Sequence, residues 1–325
     1  MRWVIRGVAV AIVVVSLVVA WRLLQPPQRS AVITEQWQDI GGAWLKANLR
    51  DAVMVIPDRP HRKEETRAGG DGLTRRRTYR VSTNTLRLRG PEIGPKPAGT
   101  KRILALGDSV THGWGVTEEE AWPARLEAEL RQRGAAVEVI NAGVPANMIA
   151  TMASWCTSQA GKLGVDLLLW TRRPPGGGFD DYATQVTRCA TALRVPAIVL
   201  LPPVSTFDLH GSGVYRQEQE ELSRRLAPRG IPVVDLTDTF RAAREGRGEV
   251  LERRGDTLAV VDQETGRVWL EAAVPQRDLP AEVYTLFERE PDVREALMFD
   301  EGHPDAEGFV VFGRAVADLV VDRVR

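Results

Sequence analysis

The chain has 325 residues, 43% of them apolar and 26% charged, a composition that excludes an intrinsically disordered polypeptide. Its 43 Lys and Arg balance 43 Asp and Glu, so there is no net basic field to hold nucleic acid. Two cysteines, Cys156 and Cys189, are too few for a disulfide scaffold or a four-cysteine zinc site. In an oxidising compartment they can form one disulfide, and otherwise they are two small buried thiols.

Gly7–Trp21 is an uncharged apolar run between Arg6 and Arg22. It is shorter than the roughly 20 residues a membrane span needs. If the two arginines snorkel to opposite surfaces, however, Trp3 to Leu24 can cross. Residues 1–24 are therefore expected to be a single transmembrane anchor, with a cleaved signal peptide as the alternative. In both cases the polypeptide that follows is exported, and Arg2 and Arg6 favour keeping the amino terminus in the cytoplasm. Adjacent prolines in Gln25–Gln28 stop a helix and read as a stalk. Thr34–Leu49 is predicted as a short helix with Ile40 and Trp44 on one side. From Arg59 to Arg102 there are 13 Lys or Arg against four Asp or Glu, punctuated by Gly and Pro. Residues 25–100 are read as a stalk and basic arm packing on the main domain. A contact with anionic lipid headgroups or an acidic polymer is the other reading.

From residue 101 to 325 the texture is that of an α/β domain. Short aliphatic runs at Ile103–Leu106, Val137–Ile140, Asp166–Trp170, Ala197–Leu201 and Pro232–Asp235 recur about every 30 residues. Between them lie segments of helical spacing: Ala121–Arg133, Ile149–Lys162, Tyr182–Leu193 and Tyr215–Leu226. This alternation predicts a parallel sheet buried on both faces, with ligand sites beyond the carboxyl ends of its strands. Asp256–Val274 alternates around a Gln263–Gly266 turn and is predicted as an inserted β-hairpin, either a substrate wall or an addition without a role. A final helix is predicted from Ala306 to Arg323.

The chemistry-bearing residues follow these strands. After the first run comes Gly107-Asp108-Ser109-Val110-Thr111-His112-Gly113-Trp114-Gly115, a glycine-bounded turn that can expose a serine hydroxyl at the sheet edge. A serine is a weak nucleophile until a base takes its proton. Of the four histidines, His61 lies in the basic arm, His112 lies beside the serine turn, and His210 lies in a loop near the expected active edge. His303 is distinct: it follows Asp300 by three residues, so one tight turn can aim both side chains the same way. A carboxylate in that position fixes the imidazole tautomer and stabilises the imidazolium. After the second run, Asn141-Ala142-Gly143 offers a backbone N–H to a substrate carbonyl, or simply a turn.

Together these pieces resemble the SGNH hydrolases, the GDSL esterase/lipase family, of the membrane-anchored type. Gly107-Asp108-Ser109 is similar to its first motif, with Ser109 as nucleophile. Gly143 matches the second motif's oxyanion glycine, and Asp300-Glu301-Gly302-His303-Pro304 matches the last, with His303 as base and Asp300 as its orienting carboxylate. Tyr79–Val81 and Leu88–Gly90 resemble the lead-in of anchored members, so the resemblance covers about residues 79–325. It implies a flavodoxin-like three-layer sandwich and ester hydrolysis without cofactor or metal. Its substrates would be acylated small molecules, lipids or polysaccharides, such as O-acetyl groups of cell-envelope glycan.

One motif is missing. After the third run the family carries a Gly-x-Asn-Asp segment whose Asn donates to the oxyanion, whereas this chain reads Trp170-Thr171-Arg172-Arg173-Pro174. Loss of one such donor typically costs about 100- to 1,000-fold in turnover. Asn147, or a guanidinium from Arg172 or Arg173, is the expected substitute. Two rival readings follow: an acyltransferase acting on a glycan hydroxyl, and a weak family member that only binds glycan. No G-x-G-x-x-G or Walker motif supports phosphate binding.

Overall fold

In the domain's strands the apolar residues run without alternation because each strand is covered on both faces. The computed structural model describes residues 44–56, 77–174, 178–205, 214–273, 280–290, 293, 295–300 and 302–325. Its centre is a parallel sheet of β3 (Lys101–Gly107), β4 (Val137–Gly143), β5 (Leu167–Thr171), β6 (Ala197–Leu201) and β7 (Val233–Asp235), in the order β4-β3-β5-β6-β7. Counted within the domain this is 2-1-3-4-5, the flavodoxin-like order, and its direction reverses at β3.

The two-residue period of each strand divides its side chains between two cores. Leu104 and Leu106 of β3 and Leu168 and Trp170 of β5 enter one core, while Ile103 and Ala105, Leu167 and Leu169 enter the other. The first core is closed by α3 (Ile149–Ser158), α4 (Phe179–Leu193) and α5 (Val214–Leu226). The second is closed by α2 (Trp122–Gln132), α6 (Thr237–Ala243) and α7 (Ala306–Val324), with Trp122 stacked on Phe312 at 4.7 Å. These are the predicted three layers. Cys156 of α3 and Cys189 of α4 form a disulfide inside the first core, which settles the alternative left open by the sequence.

Two expectations need amendment. The late hairpin is the second half of a three-stranded meander: β8 (Glu249–Arg254), β9 (Thr257–Asp262) and β10 (Val268–Ala273), in the order β10-β9-β8. The charged sequence of β8, Glu-Val-Leu-Glu-Arg-Arg, hides its alternation because it is an edge strand. Trp44–Leu49, the described end of the helix predicted over Thr34–Leu49, is non-helical, and Asn48 has φ +59°. The described part of the arm forms a short sheet. β1 (Ala52–Ile56) pairs antiparallel with β2 (Arg77–Val81), and Met54, Tyr79 and Val81 are buried against Trp114 and Phe299.

The predicted anchor over residues 1–24 lies outside the described residues. Among the described residues no helix is long and apolar enough to cross a membrane.

Candidate active site

The carboxyl ends of β3, β4 and β5 converge on one edge, where the order of the sheet reverses. Gly107 ends β3, and a Cβ there would lie 2.1 Å from Thr111 Oγ1 and 2.4 Å from the Thr171 carbonyl oxygen, so only glycine fits. The chain then turns at once into α1 (Ser109–His112), whose cap Asp108 accepts a hydrogen bond from the Val110 N–H at 3.1 Å. This turn lifts Ser109 to the rim.

His303 arrives from the other end of the chain. It lies on β12 (His303–Pro304), which pairs with β11 (Met298–Asp300) so that Asp300 stands opposite His303 in the register. His303 Nε2 is 2.8 Å from Ser109 Oγ across 194 residues of sequence. With Nε2 unprotonated, the hydroxyl donates and the imidazole is placed to take its proton. The Asp300 side chain lies outside the described ones, as do His61 and His210. A buried group, Arg244 paired with Glu295 and Glu295 accepting from Ser205, ties the segment before β11 to the α6 end and to the loop after β6.

Gly143 is placed differently from its predicted role. Its N–H donates to Asn141 Oδ1 at 3.0 Å, and a Cβ there would lie 2.0 Å from the His112 nitrogen. Close approach of β4 to the backbone of α1 is what demands glycine, and the N–H is already committed.

The three proposed substitutes for the absent asparagine also separate. Arg173 is spent on scaffold: it binds the Pro202 carbonyl, Glu218, Asp235 and Thr237. Arg172 pairs with Asp108 at 3.6 Å and donates to the Asn147 carbonyl, bridging the loops after β3 and β4. Asn147 is fully buried, and among the described residues neither its Oδ1 nor its Nδ2 has a hydrogen-bond partner. Such burial leaves the amide no face open to a substrate. Burial raises the Asp108 carboxyl above its ordinary range, opposed by the charge of Arg172 and the Val110 N–H.

Several contributors escaped the sequence reading. Arg89, buried, donates to the Gly113 carbonyl at 2.8 Å and the Val116 carbonyl at 2.7 Å, and also to that of His112, clasping the end of α1. It lies 5.5 Å over the Tyr79 ring. Trp114 stacks on His303. The lead-in segment that resembles anchored members contains Tyr79 and Arg89, and Trp114 sits inside the serine motif; neither signal states a contact.

His112 is fully buried, with Nε2 3.3 Å from the Tyr79 hydroxyl. Burial, and then the charge of Arg89, hold its imidazole well below the ordinary histidine range, opposed by the Gly143 carbonyl. The unfolded chain therefore takes up a proton below about pH 6.5 that the folded chain refuses, and stability falls on acidification by up to about 1.4 kcal/mol per pH unit. Denaturant midpoints at pH 5 and 7 should differ less in His112→Gln than in the parent; an equal difference would remove His112 as the cause.

No protein-family model matches the chain. No curated protein matches it either. Among solved structures, a lipase/acylhydrolase from Enterococcus faecalis is 15% identical, with 69% of this chain and 97% of that one covered and a TM-score of 0.44. A member of the lipolytic protein G-D-S-L family from Veillonella parvula DSM 2008 is 15% identical over 67% of this chain and 97% of its own, at 0.41. An acetylxylan esterase from Geobacillus stearothermophilus is 13% identical over 67% and 93%, at 0.43.

Proposed function

We propose that this chain is a serine ester hydrolase of the SGNH type. The single observation that carries the reading is the 2.8 Å contact between Ser109 Oγ and His303 Nε2 at the carboxyl edge of a parallel sheet. Ser109 attacks the acyl carbonyl while His303 accepts its proton, and Asp300, opposite on β11, steadies the imidazolium. His303 returns the proton to the departing alcohol, and water, with His303 again as base, then resolves the acyl-enzyme. The Ser109 N–H holds the oxyanion, while Arg172, Arg173 and the Gly143 N–H are engaged elsewhere and the Asn147 amide is buried away from the rim's open face.

In this reading the enzyme works outside the cytoplasm, held by the apolar segment before residue 25, on O-acetyl groups of envelope polysaccharide or on lipid esters. The buried Cys156–Cys189 bridge supports an oxidising compartment.

A fluorophosphonate probe should label Ser109 in the parent and nothing in Ser109→Ala, and only the parent should hydrolyse short p-nitrophenyl esters. An unlabelled parent would favour the glycan-binding reading. Transfer of acyl label to added glycan instead of water would favour the acyltransferase.

A further inference from the structure

We propose that Trp114 is the positioning residue of the His303 base: its indole face holds the imidazole toward Ser109 and favours the imidazolium formed when the serine proton is taken. The inference rests on the serine-hydrolase reading above. The two ring centroids are 5.8 Å apart and the planes 29° from parallel. The contact to Ser109 acts in the plane of the imidazole, through the Nε2 lone pair, at 2.8 Å. The stack acts on the ring's face. Two restraints at right angles leave the ring little freedom, and a π face near a cation stabilises it.

Trp114 is itself anchored to the nucleophile. Its backbone N–H donates to the Ser109 carbonyl at 3.0 Å. Its ring lies 6.1 Å from that of Tyr79, and Phe299 belongs to the same apolar cluster. Gly115, at φ +85°, keeps open the space that Phe299 occupies, since a Cβ there would be 3.1 Å from the phenyl ring. A shift of the serine turn therefore moves the indole with it, and base and nucleophile stay in register. Among the described residues, Asp108 at the cap of α1 and the buried His112 are sensitive to the charge of this imidazole, and Asp300 stands opposite on β11.

The test uses the full chain with Trp114→Leu and Trp114→Phe, and Trp114→Met if the leucine variant folds poorly. By NMR the His303 ring protons should carry an upfield ring-current shift in the parent, reduced in Trp114→Phe and lost in Trp114→Leu. On p-nitrophenyl acetate, Trp114→Leu should lower kcat about tenfold with KM nearly constant. The acid limb of its kcat/KM profile should move down by about half a pH unit, because the imidazolium has lost a stabilising face. Trp114→Phe should restore most of both. An unchanged acid limb in a folded Trp114→Leu, or no rescue by Phe, would overturn the inference. A parent that neither hydrolyses esters nor labels at Ser109 would instead sink the hydrolase reading; the ring-current shift would then decide the stack alone, its absence overturning it.

Discussion

His303→Ala is expected to lower kcat on short esters by about 10⁴-fold or more, Ser109→Ala by a similar factor, and the double variant by no more than either single one. The reason is that Ser109 Oγ and His303 Nε2, 2.8 Å apart, act as one unit. Without the imidazole the hydroxyl keeps its proton and is a weak nucleophile, and without the hydroxyl the imidazole has nothing to activate. What survives comes from oxyanion donors and substrate positioning, which both variants retain. Steady-state kinetics with active-site titration gives the answer. Additive losses would mean two independent contributions and no relay.

Replacing the disulfide in Cys156→Ala/Cys189→Ala should cost about 4 kcal/mol, because the bridge closes a loop whose ends are 33 residues apart in sequence. In a domain of this size that corresponds to a fall of roughly 10 °C in Tm. The bridge joins α3 to α4 beneath the sheet, within the core that also holds Leu104, Trp170 and Tyr182. Alanine suits both buried positions, so the loss reflects chiefly the freed unfolded chain. Calorimetry of parent and double variant measures it, and ester turnover at 25 °C should be unchanged, since neither cysteine is near the rim. A Tm within 2 °C of the parent would show that the packing of α3 on α4 suffices without the bridge.

Legibility differed between fold and site. The five aliphatic runs matched the five sheet strands to within a few residues because burial on both faces writes itself into local composition. The serine turn was legible for a similar reason: a strand that must turn sharply past Thr111 and Thr171 has room only for glycine at 107. Gly143 shows where such reading stops. A glycine can mark a free N–H or a close approach, and only the position of α1 against β4 shows which. β8 was missed because an edge strand carries charge for its own protection.

The sequence alone determined an α/β domain with a serine turn after its first strand and a histidine before its last helix, since both follow from periodicity and turn chemistry over a few residues. The tertiary structure decided which separated groups meet: His303 with Ser109, Trp114 with His303, Cys156 with Cys189, Arg172 with Asp108. Those pairings depend on how two layers of helices settle on a twisted sheet. Their geometry is set by the summed packing of the whole core and is not encoded near either partner.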